Sequence, residues 1–157
     1  MDIELRKAIQ ADIKEIKTLL SFYYLDTEKV EKNLPEFMVA VLDKKTVGCA
    51  CLDIGGAVEL RSIAVLPSYR NKGIGSRMVG AILSRAAELA DTVYLRTTSP
   101  AFFEKKGFKR LPDEEKKAVW DECAQCEKYD ICRQTVMKFI LSQYPAVCNG
   151  WVPTLPE

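Results

Sequence analysis

The 157-residue sequence contains no histidine. Because histidine is the commonest general base near neutral pH, its absence excludes nucleophilic systems of the Ser-His and Cys-His types. An excess of charge of one sign is also lacking, since 23 basic side chains stand against 22 acidic ones, so neither nucleic acid nor an anionic membrane is expected as a partner. No apolar run approaches the roughly 20 residues that span a bilayer, and the N-terminal segment lacks the apolar core of a signal peptide, so we expect a cytoplasmic location.

What is present is the composition of an ordinary globular domain. Hydrophobic residues make up 48% and charged residues 29%, which argues against disorder. The length suits one domain, and no repeat, low-complexity segment or Gly/Ser linker marks a boundary. We therefore expect a single domain over residues 1–157, with a cysteine-containing insert at about 112–134 and a C-terminal tail at 142–157.

The hydrophobic periodicity predicts an α/β fold. Three strand-like runs between Phe37 and Val65 are joined by short turns, which favours antiparallel pairing, and the strand–helix–strand unit from Val58 to Leu95 favours a parallel crossover. The expected sheet is mixed, mostly antiparallel, and flanked by helices. The predicted strands are Ile3–Ala8, Phe37–Leu42, Thr46–Ile54, Val58–Val65, Thr92–Leu95, Phe108–Leu111 and Val136–Leu141, and the predicted helices are Gln10–Phe22, Asp26–Asn33, Ile74–Leu89, Pro100–Lys106 and Pro112–Glu122.

The segment Arg70–Arg77, RNKGIGSR, lies between a predicted strand and the longest predicted helix. The first amides of a helix lack internal partners and its dipole favours negative charge there, while Gly73 and Gly75 let the backbone approach an anion closely. Lys72 and the two arginines of the segment add positive charge, so the segment predicts a phosphate or pyrophosphate site. The third glycine of a dinucleotide fingerprint is replaced by Met78, and a P-loop lysine motif is missing. A glycine-containing turn with solvated basic residues is the alternative.

The wider segment ELRSIAVLPSYRNKGIGSRMVGAIL closely resembles the central motif of the GNAT superfamily of acetyltransferases, whose loop reads Arg/Gln-x-x-Gly-x-Gly/Ala. Downstream, SPAFFEKKGFKR is similar to the second landmark of that family, a short helix ending in Gly-Phe. The resemblance implies acetyl-CoA as co-substrate, with its pantetheine arm along the strand Ile63–Val65, its pyrophosphate on the amides from Arg70 to Ser76, and the Val65 N–H as oxyanion donor. The cofactor-binding residues that it implies are Ile63, Ala64, Val65, Arg70, Asn71, Lys72, Gly73, Ile74, Gly75 and Ser76.

Direct acetyl transfer requires a neutral amine, so a base must remove a proton. Without histidine a carboxylate is the leading candidate, and the resemblance places Glu59 in that role, acting through water. The alternative for Glu59 is an exposed strand carboxylate paired with Arg61. Many family members supply a tyrosine as general acid where this chain has Phe103, and we consider Ser99 and Tyr94 as substitutes.

One subgroup, the acetyltransferase domain of N-acetylglutamate synthases, resembles this chain more closely. The shared segments are Phe37–Val39, Val47–Leu52 and Glu59–Val65, together with Phe103 in place of the tyrosine. The resemblance implies N-acetyl transfer to a primary amine, that of an amino acid such as glutamate. Another small amine or a peptide N-terminus stays open as acceptor. A non-catalytic regulator that binds acetyl-CoA and senses metal or redox state is the alternative function. The sequence is also compatible with a homodimer.

A carboxylate-bearing acceptor requires a basic side chain in the site. The arginine that the subgroup carries ahead of the short helix is replaced here by Thr98. We expect Arg96 to project to the other side of its strand, which leaves Arg6 or Arg61 as candidates.

The six cysteines fall into two groups. Cys49 and Cys51 share one face of an apolar strand and are expected to be buried structural residues. The spacing Cys123-x-x-Cys126-x5-Cys132, with a fourth cysteine in the tail, is compatible with zinc or an iron–sulfur cluster. Because a second Cys-x-x-Cys is missing, reduced thiols are favoured over metal, and a disulfide would be unusual in the cytoplasm.

Overall fold

Helices and strands are interspersed along the part of the chain that the structure, a computed structural model, describes: residues 2–112, 114–115 and 134–141. Its strands are β1 (Glu4–Lys7), β2 (Phe37–Leu42), β3 (Lys45–Asp53), β4 (Glu59–Val65), β5 (Thr92–Thr97), β6 (Lys109–Leu111) and β7 (Thr135–Ile140). Its α-helices are α1 (Ile13–Phe22), α2 (Val30–Asn33), α3 (Ile74–Ala87) and α4 (Pro100–Glu104), with 3-10 turns at Gln10–Asp12, Leu34–Glu36 and Pro67–Tyr69. The predicted α/β class is confirmed.

The described strands form one mixed sheet in the order β1-β2-β3-β4-β5-β7-β6. Strands β1 to β4 pair antiparallel with their neighbours, as do β5 with β7 and β7 with β6, and β4 pairs parallel with β5. The β2–β3 hairpin turns through Asp43 and Lys44 at φ values of 50° and 66°, which is the left-handed pair that a two-residue type I′ turn requires. The mostly antiparallel sheet with a parallel crossover is therefore confirmed.

Both faces of the sheet are covered by helices. The apolar side of α3, including Met78, Ile82 and Ala86, is buried against one face, as the spacing of three and four predicts. On the other face α1 buries Ile16 and Leu20. Residues that belong to the two cores alternate along much of β3, which explains why that strand is apolar along most of its length.

The thiols of Cys49 and Cys51 lie in the core on the α1 side, with 0% and 1% of each residue exposed. Burial raises the pKa of the Cys49 thiol to about 12 and also raises that of Cys51. The expectation of structural, unreactive cysteines at these two positions is confirmed.

The sheet opens between β4 and β5. Among the described residues, their parallel pairing is confined to Glu59 opposite Tyr94, and beyond that point the strands separate. Strand β4 also carries a bulge, because Cys49 pairs with Ala64 whereas Cys51 pairs with Arg61, and Ser62 has a φ of 56°. The separation leaves the backbone edge of β4 without a strand neighbour in the place where the sequence predicts pantetheine binding.

Several predicted boundaries differ from the structure. The predicted helix Asp26–Asn33 is reduced to Val30–Asn33, because the Asp26 carboxylate accepts a hydrogen bond from the Glu28 amide at 2.8 Å and holds a turn there. Gly107, predicted to end the short helix, has a φ of 101°, and this prediction is confirmed. Most of the predicted helix Pro112–Glu122 lies outside the described residues. Within the described ranges, no helix has the length and apolar character needed to cross a membrane.

Candidate active site

A cleft of about 670 Å³ occupies the opening between β4 and β5. Its walls are the length of β4, the end of β5 with residues 98 and 99, the first turn of α3, and residues 23–26 after α1. Of the predicted cofactor-binding residues, the cleft is lined by Ile63, Ala64, Val65, Arg70, Asn71, Ile74 and Gly75, but not by Lys72, Gly73 or Ser76. One cleft therefore brings together the strand and the loop that the sequence singles out.

The helix start at the cleft depends on Gly73. This residue caps α3 with a φ of 83°, a conformation that glycine adopts without strain. The bond from the Arg77 amide to the Gly73 carbonyl, at 3.1 Å, closes the first turn. The amides of Ile74, Gly75 and Ser76 therefore precede the first main-chain bond of the helix, at its electropositive end.

Gly75 has a steric reason to be glycine that the sequence does not reveal. A Cβ at this position would lie 3.3 Å from the Phe102 ring, so α3 and α4 approach each other closely across the end of the cleft. Any side chain here would have to displace that ring. The absence of a side chain thus serves close packing as well as access to the helix amides.

Val65 turns its backbone polar groups toward the cleft. The next amide, that of Leu66, donates to the Val47 carbonyl of β3 at 2.8 Å. Because backbone groups alternate in direction along a strand, the Val65 N–H and C=O point away from β3. The Val65 carbonyl accepts a hydrogen bond from the Tyr23 hydroxyl at 2.5 Å, so Tyr23 reaches from the end of α1 to the end of β4.

Glu59 lies on the cleft wall as half of a buried ion pair. Only 4% of the residue is exposed. Its two carboxylate oxygens accept from Arg96 Nε at 3.1 Å and Arg96 Nη2 at 3.2 Å, and Arg61 Nε lies 3.9 Å away. The alternative of an exposed carboxylate is wrong, although its pairing with Arg61 does occur.

The expectation that Arg96 projects away from the site is wrong. Glu59 and Tyr94 are partners across the parallel pair, and Arg96 follows Tyr94 by two residues, so all three side chains share one face of the sheet. The Arg96 guanidinium therefore reaches Glu59 and lines the cleft.

The structure distinguishes the arginines that were candidates for binding an acceptor carboxylate by whether they line the cleft. Arg61 lines the cleft and donates from Nη1 to Asp53 at 3.0 Å, and Thr98 also lines it. Arg6 is excluded, because it lies on β1 at the far edge of the sheet and holds the Asp12 carboxylate at 2.8 and 3.0 Å. The sequence did not show the sheet order, so it could not separate these arginines.

The position of the usual tyrosine acid is apolar. Phe103 is buried with 5% exposed and packs edge-to-face on Phe102 and Phe108 with ring centroids 4.9 and 5.7 Å apart. Ser99 lines the cleft, whereas Tyr94 is not among the described residues that line it. Tyr23 lines the cleft too. No sequence pattern marks this tyrosine, because it only follows an amphipathic helix.

A metal centre has no support in the described part of the chain. Within residues 2–112, 114–115 and 134–141, no three His, Cys, Asp or Glu side chains are grouped so as to hold an ion. The proposed ligands Cys123, Cys126 and Cys132 lie outside those residues, as does the fourth cysteine of the tail.

Comparison with known proteins finds acetyltransferases. The family model described as "Acetyltransferase (GNAT) domain" matches residues 33–110. An uncharacterised N-acetyltransferase of Chlorobaculum tepidum is 31% identical over 116 residues, which cover 70% of this chain and 74% of that protein. An amino-acid acetyltransferase of Mycobacterium tuberculosis is 34% identical over 143 residues, which cover 80% of this chain and 79% of that protein.

Solved structures share the architecture. Rv2747 from Mycobacterium tuberculosis, solved in complex with CoA, matches with a TM-score of 0.74 and 25% identity over 87% of this chain and 98% of that chain. The N-acetylglutamate synthase of Neisseria gonorrhoeae, complexed with coenzyme A and N-acetyl-glutamate, matches with a TM-score of 0.75 and 20% identity over 90% of this chain. The match covers 35% of the synthase chain, so this chain spans about a third of its length, and at that identity the likeness shows a common fold.

Proposed function

Since the chain belongs to the GNAT family of acetyltransferases and is an acetyl-CoA-dependent N-acetyltransferase, we propose that its acceptor is the primary amine of an amino acid such as glutamate. The observation that carries this proposal is the charge pattern of one cleft. Its described lining includes the carboxylates of Glu59 and Asp26 and the guanidinium groups of Arg61, Arg70 and Arg96. An acceptor that carries both an ammonium group and carboxylates meets complementary charges there, whereas a polyamine would meet more positive than negative charge.

The helix start supplies the donor site in this proposal. The amides of Ile74 to Ser76, with Arg70 beside them, would hold the pyrophosphate of acetyl-CoA, and the edge of β4 at Ile63 and Val65 would hold the pantetheine arm. The backbone fits that purpose, because Gly73 sets the helix start and the Val65 amide faces the cleft. Lys72 and Ser76 do not line the cleft, so we assign them backbone or long-range electrostatic roles only.

The proposed reaction uses two groups at the cleft wall. Glu59 takes a proton from the acceptor ammonium, directly or through water, and the neutral amine attacks the thioester carbonyl. The Val65 N–H donates to the oxygen on which negative charge develops. Arg96 holds the Glu59 carboxylate in two bonds, which fixes its orientation for this step.

Two similar proteins support an amino-acid acceptor. The Mycobacterium tuberculosis relative is named an amino-acid acetyltransferase, and the gonococcal synthase was solved with N-acetyl-glutamate. Thr98 argues against glutamate as the acceptor, because it replaces the arginine that the synthase pattern has at this position. Arg61 and Arg96 are the cations that we propose in its place.

The acceptor prediction is tested by release of free CoA thiol from acetyl-CoA in the presence of single acceptors. We expect glutamate to give a kcat/KM at least about tenfold above those of polyamines and peptide N-termini, because only an acceptor with carboxylates pairs with the arginines of the cleft. Glutamine and the α-amide of glutamate are the matched probes, since each removes one carboxylate and keeps the amine. Turnover confined to polyamines or peptide N-termini would overturn the amino-acid assignment.

A further inference from the structure

The cleft contains hydroxyl groups that could replace the missing tyrosine at position 103. They differ in how firmly the structure places them. Tyr24 is 97% exposed at the mouth of the cleft, and Ser99 is the residue before α4. The hydroxyl-bearing residues on the described lining are Tyr23, Tyr24, Ser62, Tyr69, Thr97, Thr98 and Ser99.

Tyr23 is held in a fixed place beside the reacting position. It follows α1 directly as its C-cap, and its amide donates to the Leu20 carbonyl at 3.1 Å, which closes the last turn of the helix. The ring packs edge-to-face on Phe22 with centroids 5.1 Å apart. The hydroxyl then reaches the Val65 carbonyl, which faces the cleft on the same residue as the proposed oxyanion donor.

We propose that Tyr23 is the proton donor to the departing thiolate of coenzyme A. This inference rests on the proposed placement of the thioester at Val65. The thioester sulfur and oxygen are bonded to the same carbon, so an oxygen that accepts from the Val65 N–H brings the sulfur to the end of β4 that the Tyr23 hydroxyl already touches. A hydroxyl hydrogen rotates about its C–O bond, so the proton that now points to the Val65 carbonyl can turn to the sulfur.

The proposed step balances in protons and electrons. After the amine has attacked, the nitrogen of the tetrahedral intermediate loses its second proton to water, the oxyanion re-forms the carbonyl, and the C–S bond breaks with its electron pair staying on sulfur. The proton of Tyr23 Oη moves to the sulfur and forms the free thiol of CoA. The resulting phenolate recovers a proton from water, while the proton taken earlier by Glu59 is released to solvent.

The variant Tyr23→Phe tests this role, because it keeps the ring and removes only the hydroxyl. We expect kcat to fall about 10- to 100-fold, near or below the lower end of general-acid effects because a thiolate is already a good leaving group. The KM for acetyl-CoA and the Kd for CoA should stay within about twofold of wild type. Thr18→Val is the control, because it removes a hydroxyl of α1 that is exposed and not among the residues lining the cleft, and it should keep wild-type kcat.

The outcomes separate this inference from the acceptor assignment. A wild-type enzyme that turns over with glutamate, combined with a Tyr23→Phe loss below tenfold in kcat, overturns the role of Tyr23 and leaves the acceptor assignment standing. A loss that appears only in the KM for acetyl-CoA, or equally in Thr18→Val, assigns Tyr23 a binding or structural role and also overturns it. An unchanged thermal midpoint in both variants excludes misfolding as the cause.

Discussion

At the scale of single residues, the proposed chemistry rests on the buried Glu59–Arg96 pair at the cleft wall. A guanidinium that grips a buried carboxylate through both oxygens holds it in one orientation, which a general base requires. The same pair makes Glu59 structural, because its removal would leave the Arg96 charge buried without this partner. Any experiment on Glu59 must therefore separate turnover from folding.

Replacement of Glu59 by Gln should lower kcat at least about 100-fold while the Kd for CoA stays near the wild-type value, because a neutral amide does not accept the acceptor's proton. Turnover by thiol release and affinity by calorimetry check the two halves. Glu104→Gln is the matched control, since Glu104 is also gripped by an arginine through both oxygens, at 2.9 and 3.0 Å from Arg110, but on the surface. Wild-type turnover in Glu59→Gln would exclude Glu59 as the base.

Sequence reasoning at this scale found Glu59 but missed its partner. The motif around β4 marks the glutamate, whereas the bond to Arg96, 37 residues further along the chain, depends on the register between two parallel strands. Tyr23 was missed for a similar reason, because its hydroxyl bonds to Val65, 42 residues away. Local patterns do not encode contacts of this range.

At the scale of elements, Asp12 joins the first strand to the first helix. Its carboxylate accepts from the Ile9 amide at 2.8 Å and from Arg6 of β1 in two bonds. The hydrogen bond from Arg6 is the main reason that the pKa of Asp12 lies below its usual value, opposed by burial and aided by the Ile9 amide. A carboxylate with a depressed native pKa stabilises the fold when ionised, and this contribution is lost as pH falls through the native pKa.

Replacement of Asp12 by Asn should destabilise the protein by about 1–3 kcal/mol at pH 7, since it removes a charge-assisted bond at a buried position. The difference from wild type should shrink once the pH falls below about 3.9, the unfolded value for Asp, and vanish below the native pKa. Urea unfolding at a series of pH values measures this. Glu31→Gln, which breaks the exposed pair with Lys17, should change stability little, and a pH-independent difference for Asp12→Asn would contradict the account.

Elements were predictable where periodicity and turn chemistry agree. The α3 helix and the β2–β3 hairpin follow from apolar spacing and a short polar turn. The segment 26–29 was not predictable as a turn, because its residues also fit a helical pattern. The hydrogen bond that the Asp26 carboxylate accepts from the Glu28 amide competes with that pattern.

At the scale of the whole molecule, the cleft is formed where the pairing between β4 and β5 is interrupted. Strands β4 and β5 pair at Glu59 and Tyr94 and then part, which exposes the β4 edge and places it beside the start of α3. The sequence predicted both the parallel crossover and the loop. It did not predict the separation of the strands, because a loss of pairing between two apolar strands leaves no mark in their composition.

The most direct test of the account is calorimetric titration of the purified protein with CoA and, in parallel, with pantetheine, which lacks the diphosphate. If the start of α3 binds that diphosphate, CoA should bind with a Kd in the micromolar range, at least about tenfold tighter than pantetheine. No detectable binding of CoA at about 1 mM, or equal affinity for the two ligands, would contradict the account.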